Sequence, residues 1–236
     1  FNQLTIYDVI TNDINSPSPR IQKLPINEII RQPACFHIQN RRYLGNKFKL
    51  IKFIEEIISI KSPDYHSFCD IFAGTGVVGS YFNKPDNKII SNDFLKSNFV
   101  CLFTFLGQNH INKGLTDKIK YLNNLSSNNE NYFSQHYGNT YFSQPNAIKI
   151  GILREEIEKI AENDNEKYLL LCALIYAVDK CANTVGHYDA FRKTLDMTRK
   201  IKLLIPFINY QSNTHNEVYC ENANTLIKKI SSDILY

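Results

Sequence analysis

The sequence has no paired cysteines, no metal-ligand spacing and no apolar run of membrane length. Its cysteines, Cys35, Cys69, Cys101, Cys172, Cys181 and Cys220, form no C-x-x-C pair. Most sit among apolar residues, as buried, reduced thiols of a cytoplasmic protein would. The histidines are scattered, and no His/Cys spacing suggests zinc, so no metal is expected. No uninterrupted apolar stretch approaches a membrane span, and no secretory signal opens the chain. Methionine occurs only at Met197 and residue 1 is Phe, so a natural start is expected upstream.

What is present is ordinary for a folded protein. The 236 residues are 43% hydrophobic and 21% charged, which excludes disorder as the main state. The length suits one large domain, or one domain carrying a small insertion. The formal charge of +4 leans weakly toward a polyanionic partner.

Patterning along the chain points to an open α/β sheet. Residues 1–40 carry Pro17, Pro19, Pro25 and Pro33 and read as an irregular arm. Phe48, Ile51, Ile54 and Ile58 recur at helical spacing over 48–60. Residues 67–72, SFCDIF, form a short apolar run ending in a glycine turn, the signature of a buried parallel strand. A helix is expected from Val77, a strand over 88–92 and a helix from Leu95 to Leu106. Residues 109–146 then turn polar and aromatic. Helices follow at Ala147–Asn163 and Glu166–Cys181, then a polar loop and a basic stretch to Lys202. Strand patterns return at Glu217–Cys220 and Asp233–Tyr236. The expected organisation is an arm at 1–40, an α/β cofactor domain at 41–108 and 215–236, and a mainly helical insertion at 109–214. An insertion at that point in a ligand-binding α/β fold usually supplies substrate recognition.

The most specific local signal is Asp70-Ile-Phe72-Ala-Gly74-Thr-Gly76-Val-Val-Gly79, a G-x-G-x-x-G after a strand and before a helix. Glycine lets the backbone turn sharply and approach a ligand closely. Asp93 follows the next strand, where a carboxylate can accept hydrogen bonds from ribose hydroxyls. On these residues alone, a dinucleotide and S-adenosyl-L-methionine fit equally.

Asp70 and Phe72 ahead of the glycines give D-x-F-x-G-x-G. This resembles the first motif of class I S-adenosylmethionine-dependent methyltransferases. The resemblance implies that the acid lies near the methionine ammonium. Upstream, Tyr43-Leu44-Gly45-Asn46-Lys47 resembles the aromatic-x-G-(G/S)-K motif of Dam-like, alpha-group DNA adenine methyltransferases. The resemblance implies that Tyr43 and Lys47 contact the cofactor. A lysine at a helix start is mildly disfavoured, which makes Lys47 notable. Asn183-Thr184-Val185-Gly186-His187-Tyr188, with Ala190-Phe191, is similar to the family's N-T-x-G-x-x-x-A-F segment. Glu221-Asn222-Ala223 is similar to its cofactor-adenine motif, with Asn222 where family members often carry an acid.

The resemblance implies a Rossmann-like sheet with an inserted recognition region. It also implies methyl transfer from S-adenosyl-L-methionine to the exocyclic amino group of adenine in double-stranded DNA. The base must first leave the helix stack, at a cost of about a few kcal/mol. The amine then attacks the sulfonium methyl directly, so positioning and electrostatics carry the reaction. Cofactor contacts are expected from Tyr43, Lys47, Asp70, Phe72, Gly74, Gly76, Asp93 and Asn222. DNA contacts are expected from Asn183, Thr184, His187, Arg192 and Lys193, within the basic stretch Lys180–Lys202. The family's catalytic (D/N)-P-P-(Y/F) pattern does not occur in the 236 residues. The sequence is therefore expected to be an N-terminal portion of a longer enzyme, inactive alone. A catalytically silent DNA- or cofactor-binding module and a NAD-dependent oxidoreductase are the alternatives. A cognate restriction endonuclease is left open as a partner.

Overall fold

The computed structural model describes residues 35–42, 45–184, 188, 190–194 and 198–236. Its first strand, β1 (Cys35–Phe36), is followed by helix α1 (Ile51–Lys61), which buries Ile51, Ile54 and Ile58. Phe48, counted on that buried stripe in the sequence, is 53% exposed. It falls in a preceding 3₁₀ turn, Phe48–Leu50, whose tighter winding takes it off the helix register.

A four-stranded parallel sheet follows. Strand β2 (Ser67–Asp70) leads through the glycine turn to α2 (Val77–Phe82). Then come β3 (Lys88–Asn92) and α3 (Lys96–Leu102), the latter running on as a π-helical turn over Phe103–Gly107. The polar middle holds α4 (Leu115–Asn124) and α5 (Tyr132–Tyr137), which the sequence did not mark. The longest helices are α6 (Gln144–Ile160) and α7 (Asp164–Cys181). Strand β4 (Ile205–Pro206) pairs in parallel with β1, joining the start of the described chain to the end of the insertion. Strand β5 (Glu217–Tyr219), the short helix α8 (Ala223–Leu226) and β6 (Ile234–Leu235) complete the order.

The sheet order is β5-β3-β2-β6. The chain winds outward from β2 through β3 to β5, then returns to the other side of β2 as β6. That reversal opens a crevice beyond the carboxyl end of β2, where ligands bind in open α/β sheets. Phe68, Ile89, Leu102 and Leu106 are fully buried in the main hydrophobic core. Each such side chain contributes roughly 1.5–3 kcal/mol. No helix of the described residues is long and apolar enough to cross a membrane.

Between β3 and β5, two asparagine side chains bond the backbone of an extended segment. The Asn146 side chain donates to the Arg199 carbonyl at 2.7 Å and accepts from the Ile201 amide at 3.2 Å. Asn123 does the same for Leu203, at 2.9 and 2.8 Å. A carboxamide matches a peptide group, with donor and acceptor side by side. These pairs hold the extended 199–203 segment against α6 and α4 without a sheet.

Gly76 has φ 79°, the left-handed region. A Cβ there would fall 2.5 Å from Leu102 Cδ2 and 3.1 Å from Ile38 Cδ1. Left-handed strain and overpacking together predict that Gly76→Ala costs about 2–4 kcal/mol. Urea unfolding should show a lower midpoint at unchanged slope, and a loss below about 1 kcal/mol would contradict the packing described.

Candidate functional site

The site grows from the exits of β2 and β3. Gly74, with φ 55°, and Gly76 both take left-handed backbone, so the chain reverses within a few residues of Asp70. The Ala73 amide donates to the Asn92 carbonyl at 2.8 Å. The Gly74 amide donates to Asp93 Oδ2 at 2.9 Å, and the Leu95 amide to Asp93 Oδ1 at 2.9 Å. The buried Asn92 side chain donates to the carbonyls of Ile71 and Glu221, both at 3.1 Å, and accepts from the Glu221 amide at 3.0 Å. Three strand exits are thereby tied together.

A cleft of about 290 Å³ lies against this turn, lined by Gly45, Lys47, Asp70, Phe72, Gly74, Asp93 and Tyr236 among others. Asp70 is 2% exposed. Burial pushes its carboxyl up to about 7; the Asp93 charge adds to the rise, and the Phe72 amide and Lys47 oppose it. Lys47 is exposed and donates to the Gly45 carbonyl at 2.9 Å. Phe72, 77% exposed, offers a bare ring at the rim.

The donor set matches S-adenosyl-L-methionine. A buried carboxyl suits its ammonium, a lysine its carboxylate, and a carboxylate at a strand exit its ribose hydroxyls. Asp93 already accepts two amide bonds, and each oxygen keeps a further lone pair for a hydroxyl. The bare Cα of Gly74 allows close approach.

The structure thus gathers Lys47, Asp70, Phe72, Gly74 and Asp93 on one cleft, and adds Gly45 and Tyr236. Gly76 is not among the lining residues; it is pressed against Leu102 and Ile38 and shapes the turn from behind. Asn222 does not line the cleft either. Its side chain caps α8, accepting from the Asn224 amide at 2.9 Å. Tyr43 and His187 lie outside the described residues.

Two of the expected DNA contacts are turned inward. Asn183 and Thr184 are 5% and 4% exposed. Asn183 donates to the carbonyls of Thr140 and Arg192, both at 3.0 Å, and Thr184 forms an antiparallel backbone bridge with Phe191. They fasten the loop rather than present it, because a buried amide must spend its hydrogens on nearby acceptors. Arg192 and Lys193 are exposed.

Sequence reasoning missed the support under that loop. Arg41, almost fully buried, donates to Asn98 Oδ1 at 2.8 Å and pairs with Asp179 at 3.4 Å. The Tyr188 hydroxyl donates to Asp179 at 3.1 Å, and the Tyr141 hydroxyl to the Tyr188 carbonyl at 2.9 Å. The Arg41-Arg42 doublet was its only visible trace.

Comparison with known proteins agrees with this geometry. A family model described as D12 class N6 adenine-specific DNA methyltransferase matches residues 43–236. The chain is 33% identical over 214 residues to the modification methylase StsI of Streptococcus sanguinis, covering 83% of the chain and 33% of that relative. It is 34% identical over 208 residues to the type II methyltransferase M.NlaIII of Neisseria lactamica, covering 82% and 62% respectively. For M.FokI of Planomicrobium okeanokoites the identity is 32% over 216 residues, covering 83% and 33%. The chain thus spans between a third and under two thirds of these relatives.

Asp70 generates a pH test. With its folded value raised from 3.8 to about 7, the native state holds this proton more tightly than the unfolded chain. Its contribution is full below about pH 4 and is lost as pH rises through 7. Asp70→Asn should therefore be the more stable protein at pH 8, by up to about 4 kcal/mol, and match the wild type near pH 4. Equal urea midpoints at both pH values would refute the shift.

Proposed function

The chain belongs to the D12 class N6 adenine-specific DNA methyltransferases, and from that premise we propose that it binds S-adenosyl-L-methionine beside Gly74 and serves methylation of the adenine amino group in double-stranded DNA. The observation that carries this reading is the pair of carboxylates, Asp70 and Asp93, set at the exits of adjacent strands around the glycine turn. Asp70 takes the methionine ammonium, Lys47 the carboxylate and Asp93 the ribose hydroxyls. Phe72 shields the cleft mouth from water. When bound, the cofactor supplies an electrophilic methyl group. The chain's own residues hold and orient it.

Cofactor elements precede the recognition insertion in sequence, the order of the Dam-like alpha group. The insertion at 109–214 is assigned to DNA, with Arg192 and Lys193 on its exposed loop. The relatives' names as modification and type II enzymes support a restriction-modification setting, in which a cognate endonuclease would share the DNA site. The D-P-P-Y-type acceptors are absent from the 236 residues. Purified alone, these residues are expected to bind the donor without turnover.

Calorimetry tests the assignment. S-adenosyl-L-methionine should bind and NAD should not; the reverse preference would sink the proposal. Asp93→Ala should weaken binding by about 1.5–3 kcal/mol, the worth of hydrogen bonds to a charged group. Below pH 7 Asp70 must release a proton to receive the ammonium, so affinity should fall toward tenfold per pH unit. That dependence should vanish in Asp70→Asn. Tritiated methyl transfer to a mixed-sequence duplex should stay at background for these 236 residues alone.

A further inference from the structure

We propose that a basic groove beside α7, separate from the cofactor cleft, is the track for the DNA phosphate backbone. The proposal rests on the adenine-methylation reading and names the surface that holds its substrate. Three adjoining cavities, the largest about 390 Å³, share Arg42, Lys180, Arg199 and Lys202 between them. Arg192 and Lys200 complete the lining, and among the described residues no aspartate or glutamate lines any of the three. All six cationic residues are exposed.

What sets this arrangement apart is the gathering of cations on one surface, since exposed lysines outside it such as Lys49, Lys61, Lys84, Lys113 and Lys228 also make no ion pair among the described residues. Elsewhere Lys52, Lys88, Lys118, Lys120, Arg154, Lys159, Lys167 and Lys229 each face a carboxylate within 4 Å. Among the described residues, Arg42, Lys180, Arg192, Lys200 and Lys202 make no ion pair. Like charges gathered on one surface repel, and a polyanion seated there relieves that repulsion. The groove is also built. Asn146 grips the Arg199 carbonyl, and the Arg199 guanidinium donates to the Lys180 carbonyl at 3.0 Å. Phe36, Tyr176 and Leu204 form an apolar floor under the charged rim.

Its place in the chain suits a duplex held for methylation. Arg42 lines the groove and Gly45 lines the cofactor cleft. Three peptide units separate them, so their Cα atoms are at most about 11 Å apart. Phosphates seated in the groove would flank a base presented to the cleft. A duplex carries regularly spaced negative charge that a row of lysines and arginines from separate chain segments can follow.

The test is fluorescence anisotropy of a mixed-sequence duplex with the full chain, from about 50 to 200 mM salt. Each phosphate contact contributes about −0.9 to the log–log slope. Lys180→Gln/Lys202→Gln should flatten the slope by about 1.8, so affinity falls about twelvefold less over that range. Lys180→Arg/Lys202→Arg should retain the wild-type slope, and Lys61→Gln/Lys228→Gln, elsewhere on the surface, should leave it unchanged. Calorimetry should give the glutamine pair wild-type affinity for S-adenosyl-L-methionine, which also reports that it has folded. If the wild type binds duplex with a steep slope and the glutamine pair keeps it, the groove is overturned while the methylation reading stands. If the wild type binds the methyl donor but no duplex, both are overturned.

Discussion

The carboxyl end of β3 holds the site together. Asn92 reaches the exits of both neighbouring strands through its side chain, and the adjacent Asp93 takes the amides of Gly74 and Leu95. Parallel strands expose unpaired backbone groups where they end. Here those groups are satisfied by two consecutive side chains, so the glycine turn has one shape before any ligand arrives. Preorganisation of this kind removes an ordering cost from binding.

A second network of side chains ties down Tyr188. Arg41 is buried and its partner Asp179 partly so, an arrangement whose desolvation cost can exceed its Coulombic gain. The bonds to Asn98 and Tyr188 supply further partners and fix the pair's geometry. Because α7 carries Asp179 near its end and Lys180 next to it, the same helix anchors the loop and supplies the groove.

Much of the sheet was legible in the sequence because buried parallel strands are short apolar runs. SFCD at β2 and KIISN at β3 fall where the pattern puts them. The glycine turn was legible because only glycine serves there. Pairing of Cys35–Phe36 with Ile205–Pro206 was not, since two residues have no periodicity and their partners lie far along the chain. The inward turn of Asn183 was hidden for a different reason. A polar residue in a polar loop reads as surface, and only the tertiary position of the Thr140 and Arg192 carbonyls shows that its amide is spent inside. The groove was half visible as the basic stretch to Lys202. Arg42, from a segment far upstream, joins it only through the fold.

The paired asparagines have a chemical consequence of their own. Asn123, Asn146 and Asn92 each use both halves of the carboxamide on one stretch of backbone. Hydrolysis of any of these amides exchanges a single NH₂ for an oxygen and leaves the shape almost unaltered. It would nonetheless set a negative oxygen against a carbonyl in a dry interior, turning an attraction into a repulsion. Aspartate, close to asparagine in size, is therefore a costly replacement at all three positions.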